Sequence, residues 1–151
     1  MAGSLFRSFL VAALAISPFA QAIRFTYPTP AETAYSVNLS FVKGDTVNVT
    51  WSSVSSDPAK FSLYLWEFVN YPPTYELVAY NVETKAGKAS FKLPCNIEPS
   101  SNWQLTMIEG INVYVLYAQT ARFKIKSSKR VCDVPEPYPE ICSSSSTYDD
   151  E

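Results

Sequence analysis

Scattered carboxylates, three cysteines, two Asn-X-Ser/Thr sequons and a surplus of aromatic rings are the groups in this chain that could do chemistry. Histidine is absent, which removes serine–histidine and cysteine–histidine nucleophile pairs and histidine-based metal sites. Carboxylate chemistry remains, and a glycosidase would need two such groups about 5–9.5 Å apart across a cleft. Asp45, Glu67, Glu76, Glu83, Glu98 and Glu109 are the candidates. All fall in turns or at outward strand positions, where solvated acids are the ordinary finding. The sequence therefore reads as a non-enzyme with no catalytic residue, and a glycosidase using carboxylates is not expected.

Cys95, Cys132 and Cys142 are too scattered for a zinc site, and no metal or cofactor is expected. In an oxidising compartment they predict at least one disulfide: Cys132 with Cys142, or Cys95 with either. An odd thiol is left over, which makes a disulfide-linked dimer a candidate state. The sequons are Asn38-Leu39-Ser40 and Asn48-Val49-Thr50, and Asn38 and Asn48 are the candidate N-glycosylation sites. The compartment follows from the first residues. Arg7, the apolar run FLVAALAISPFA and Ala20-Gln21-Ala22 form a secretory signal over residues 1–22, too short in its apolar part to span a bilayer. Without it the chain carries 11 basic and 14 acidic residues, net −3. Neither nucleic acid nor, after signal removal, a membrane is an expected partner.

Aromatic rings are the more informative surplus. Tyr64 and Trp66 occupy the predicted outward face of their strand, and Tyr71, Tyr75, Tyr80, Tyr114 and Tyr117 lie near loops or strand ends. Flat rings stack on sugars, and the tyrosine hydroxyl adds a hydrogen bond. Trp66 and Tyr64 are thus the candidate carbohydrate-binding residues, although aromatics also favour strands for packing alone.

These groups must be positioned by strands. From Phe41 to Trp66 the alternation puts Val47, Val49 and Trp51 on one face and Thr46, Asn48 and Thr50 on the other. After a polar loop, Phe61, Leu63 and Leu65 oppose Ser62, Tyr64 and Trp66. Both sequons fall on predicted outward faces. An edge strand over Arg24–Pro30, a strand through Val37, Leu39 and Phe41, and further runs through Tyr75, Phe91, Trp103 and Val113–Ile125 complete the set. With no helical period of useful length, the expected fold is all-β: an immunoglobulin/fibronectin-III-like antiparallel sandwich of about seven strands over residues 23–127. Residues 128–151 are rich in Ser, Pro and acid and predict a flexible tail. At its start Lys129-Arg130 is a candidate dibasic processing site, or a solvated charge pair.

The motifs Phe41…Gly44-Asp45…Val47-Asn48-Val49-Thr50-Trp51-Ser52-Ser53, Leu63-Tyr64-Leu65, Phe91-Lys92-Leu93-Pro94, Trp103-Gln104-Leu105-Thr106 and Ala121-Arg122-Phe123-Lys124-Ile125 resemble the Kre/Knh-type N-terminal domain of fungal secreted cell-wall proteins. The likeness covers about residues 24–127. It implies an immunoglobulin-like sandwich, export by a fungus, and association with the wall, in some members with β-1,6-glucan assembly. It carries over no catalytic residue. Members commonly have a Ser/Thr-rich stalk and a lipid-anchor signal, and neither is evident here, so the expectation is a free secreted or wall-associated glycoprotein. Its expected partner is wall polysaccharide or a wall protein. A small secreted effector that binds a host or competitor protein is the alternative from another class, and a glucan-modifying enzyme using carboxylates is the second alternative.

Overall fold

Side chains alternate across a pleated backbone, and this chain folds on that rule. A computed structural model describes residues 22–129 and Cys132. The strands are β1 (Arg24–Tyr27), β2 (Ser36–Val42), β3 (Thr46–Ser52), β4 (Lys60–Glu67), β5 (Thr74–Glu83), β6 (Lys88–Lys92), β7 (Ser100–Glu109), β8 (Asn112–Gln119) and β9 (Arg122–Lys126), with one 3-10 turn at Thr84–Ala86. They form two sheets, β1-β3-β6 and the larger β2-β9-β7-β4-β5, with β8 also paired to β7. The sheets face each other as a sandwich, as expected.

The strand count is nine among the described residues, above the expected seven or so, in part because the Val113–Ile125 run, expected as one strand, breaks in two. The C-terminal run breaks at Thr120. There the Thr120 hydroxyl accepts a bond from the Leu105 amide at 2.9 Å, with β8 along one half of β7 and β9 along the other. The edge strand expected over Arg24–Pro30 ends at Tyr27, and β1 joins the small sheet whereas β2 joins the large one. Strand β2 then runs parallel to β9, the exception to the antiparallel expectation, because β2 enters the large sheet from the end at which β9 begins.

Between the sheets lie Val47, Val49 and Trp51 from β3 and Phe61, Leu63 and Leu65 from β4, joined by Leu105, Met107, Phe123 and Ile125. Trp51 meets the Phe61 ring edge-on at 5.0 Å, and its indole N–H donates to the Thr84 carbonyl at 2.7 Å. Its inward assignment and the outward placement of Asn38 and Asn48 agree with the alternation.

Strand β4 departs from it. Expected to be half-buried, it is buried on both faces through Leu65, and Tyr64, expected outward, is only 6 % exposed. The physical reason is its central place: β5 flanks one edge and β7 the other, so neighbouring side chains close over the outer face as well.

At the β2–β3 turn Gly44 adopts φ +85°, the left-handed region where a side chain is strained. Its amide donates to the Leu93 carbonyl at 3.1 Å and the Leu93 amide donates to Asp45 O at 2.9 Å. Beside it lies the Cys95–Cys132 disulfide, with Cα atoms 5.6 Å apart. Of the connectivities left open by the sequence, this is the one formed. Cys142, Arg130 and residues 1–21 lie outside the described residues. The turn, the disulfide and the end of β9 share one pole of the sandwich, since Val42 pairs with Lys126; Arg24 pairs with Ser52 at the other.

Candidate functional site

Strand β4 ends at Trp66-Glu67, and the loop 68–73 returns the chain to β5. Glu67, expected to be a solvated acid, is 2 % exposed. Its carboxylate accepts the Asn70 amide at 3.0 Å and the Ser100 hydroxyl at 3.5 Å. It fastens the loop to the body instead of facing solvent, because a turn this short leaves an orphan amide that a side chain must satisfy.

On this loop the rings assemble. Trp66 stands opposite Tyr75 across the β4–β5 ladder and stacks on it at 4.7 Å. It also stacks on Phe68 at 4.6 Å, with planes within 12°. Tyr64 leans on Tyr75 at 6.2 Å. Exposure then divides the roles: Phe68 at 40 %, Tyr75 at 49 % and Tyr71 at 96 % meet solvent, whereas Trp66 is half-buried and Tyr64 sealed. The expected contact pair is thus corrected. Tyr64 cannot present a ring face, and Trp66 serves as the backing on which Phe68 and Tyr75 are mounted. Tyr71 and Tyr75 carried a signal in the sequence, being next to the Asn70–Pro73 turn. Phe68 had none, since its place after the strand end hid its phase.

The remaining acids weighed for catalysis are placed as follows. Asp45 accepts the Val42 amide at 2.9 Å, Glu83 pairs with Lys60 at 3.1 Å, and Glu76 accepts a long bond from Asn96 at 3.5 Å. Glu98 and Glu109 are exposed. None of these acids lines either of the two hollows described below. No group of three His, Cys, Asp or Glu side chains could hold a metal among the described residues, and no helix there is long and apolar enough to cross a membrane.

The sequons differ in setting. Asn48 is exposed on β3, where its side-chain oxygen accepts from the Ser90 hydroxyl at 2.6 Å. Thr50, which completes the motif, shares a hydroxyl–hydroxyl bond of 2.6 Å with Thr26. Asn38 lies on the rim of an open groove of about 510 Å³ between β2 and β9. A second hollow, about 390 Å³, lies between β1 and β8 and is lined in part by Tyr117. Burial first, and the Glu109 charge second, push the Tyr117 phenol above its ordinary 10.0. Lys129 is exposed.

The chain aligns at 32 % identity over 118 residues with a UPF0619 GPI-anchored membrane protein of Aspergillus fumigatus, covering 77 % of this chain and 51 % of the relative. This chain therefore spans about half the length of that protein. No solved structure matches it. A sequence model of the Kre9/KNH-like N-terminal Ig-like domain matches residues 25–125. That span runs from β1 to β9 and includes both halves of the sandwich, and the chain belongs to the Kre9/KNH-like N-terminal Ig-like domain family.

Proposed function

We propose that this chain is a non-enzymatic, exported, wall-associated glycoprotein domain that contributes to cell-wall assembly by binding wall polysaccharide through the aromatic tip of the β4–β5 hairpin. The observation that carries the reading is the stacking of exposed Phe68 and Tyr75 on a backing indole, with exposed Tyr71 on the same loop. Rings fixed in this way lose little freedom on contact, and each can contribute about 0.5–1.5 kcal/mol by stacking. Family membership supports the wall as the place, and β-1,6-glucan is the polysaccharide that the resemblance brings forward. The binding role is favoured over catalysis by the use of Asp45, Glu67 and Glu83 in turn and ion-pair contacts.

The test is depletion of the secreted protein from solution by insoluble wall glucan, comparing wild type with Phe68→Ala/Tyr71→Ala/Tyr75→Ala. Trp66 is left intact so that the hairpin keeps its backing. The bound fraction is expected to fall at least tenfold, in line with about 1.4 kcal/mol or more lost. Equal depletion of both proteins would remove the aromatic tip from the reading. Release of new reducing ends from the glucan would overturn the non-enzymatic part.

A further inference from the structure

The groove between β2 and β9 has a chemistry unlike that of the rest of the surface. Arg122, Lys124 and Lys126 occupy alternate positions on β9 and line it together with Tyr35, Asn38 and Asn102. Successive positions on one face of a strand lie roughly 6.5–7 Å apart, so three cations stand in a row at that interval. Across them, β2 runs parallel and contributes hydroxyl and amide groups from Ser36, Asn38 and Ser40.

No acid lines the groove. Among the described residues the ion pairs are Arg24 with Glu32 and Lys60 with Glu83, so none of the three groove cations is neutralised by a carboxylate. Arg122 is also fixed in place. Its guanidinium lies over the Tyr35 ring at 4.2 Å and donates to the Tyr35 hydroxyl, while its Nε is buried with no partner. The mutual repulsion of like charges held in a row is unfavourable and is relieved by a multivalent anion.

We infer that the β2–β9 groove is a binding site for an anionic polysaccharide, one whose sulfate, phosphate or carboxylate groups meet Arg122, Lys124 and Lys126 while Asn102, Ser36 and Ser40 contact its hydroxyls. A sugar chain fits better than nucleic acid, because the uncharged polar lining is hydroxyl and amide groups from Ser36, Asn38, Ser40 and Asn102, which match sugar hydroxyls, and the one aromatic ring lining the groove, Tyr35, has a face occupied by Arg122. This site is separate from the aromatic tip and stands or falls independently of it.

The experiment measures binding of fluorescein-labelled dextran sulfate, phosphorylated dextran, carboxymethyl dextran and uncharged dextran to the full secreted chain by fluorescence anisotropy. Because a glycan on Asn38 would stand at the rim, the protein is measured as secreted and after enzymatic removal of N-glycans. At least one anionic dextran is expected to bind in one of these forms, and to weaken as salt screens the contacts. Its affinity should fall tenfold or more in Lys124→Ala/Lys126→Ala, yet change less than twofold in the exposed pair Lys85→Ala/Lys88→Ala and in Phe68→Ala/Tyr71→Ala. The preferred polymer names the anion.

Equal losses from the two lysine pairs, equal binding of uncharged dextran, or tighter binding of oligo-dT than of any dextran would overturn the inference. So would binding that appears only when residues 133–151 are removed, because that segment carries six carboxylates and no Lys or Arg. In that case the chain's own acids would be the occupant.

Discussion

Gly44→Ala tests the joint between sheet and disulfide. Two costs add. At φ +85° an L-residue is strained by about 1–2 kcal/mol. The new methyl would also lie 3.0 Å from the Cys132 sulfur, inside ordinary contact, and forcing such a group into a packed site costs roughly 1–3 kcal/mol. The total expected in urea unfolding is therefore about 2–5 kcal/mol. The two costs separate in a double-mutant cycle. In a Cys95→Ala/Cys132→Ala background the sulfur is gone, and Gly44→Ala should cost only the backbone share of about 1–2 kcal/mol. That background itself loses about 4 kcal/mol from a loop of sequence separation 37, so the cycle is run at low temperature or with osmolyte. An equal cost in both backgrounds would refute the packing of Gly44 on Cys132. A cost below about 0.5 kcal/mol in both would refute the left-handed backbone as well.

Trp51→Ala removes a ring that is 5 % exposed and is expected to destabilise by about 3–5 kcal/mol in the same unfolding assay. Tyr117 titrates late because the fold disfavours its phenolate. Its contribution to stability is whole below the unfolded value of about 10 and is lost as pH rises through the higher folded value. Tyr117→Phe should therefore flatten the fall of stability above that pH, and remove one late step of a tyrosinate absorbance titration. Both sequon asparagines are exposed, so endoglycosidase treatment should lower the apparent mass in two steps, with Asn38→Gln and Asn48→Gln each abolishing one. With Cys95 and Cys132 paired, Cys142 is the odd thiol. A dimer band on a non-reducing gel should vanish in Cys142→Ser while Cys95–Cys132 persists in peptide mapping.

The sandwich was legible because β3 obeys the alternation so strictly: Val47, Val49 and Trp51 had only one face to bury. Strand β4 was legible as a strand but not as a central one. Sidedness follows from the local pattern, whereas burial of a second face depends on which strands pair with it, and that is decided by segments far along the chain. Tyr64 was misplaced for this reason, and Glu67 because nothing in its neighbourhood shows that Asn70 and Ser100 will need an acceptor. At the site, the Asn70–Pro73 turn pointed to Tyr71 and Tyr75. The stacking that turns Trp66 into a support became visible only once β5 was laid beside β4. The cation row on β9 was present in Arg122, Lys124 and Lys126. Its meaning depended on the parallel pairing with β2, which local periodicity cannot supply.

The shared pole has a mechanical consequence. Any pull transmitted from beyond Cys132 enters the body through a covalent sulfur link to the segment just after β6, so load reaches the interior without first peeling β9 from its neighbours. The β4–β5 hairpin points the same way, because Glu67 is tied to Ser100 and Ser100 pairs with Ile125. A domain tethered from that side would hold its exposed rings toward the surface that grips it, leaving the Arg24 end facing away.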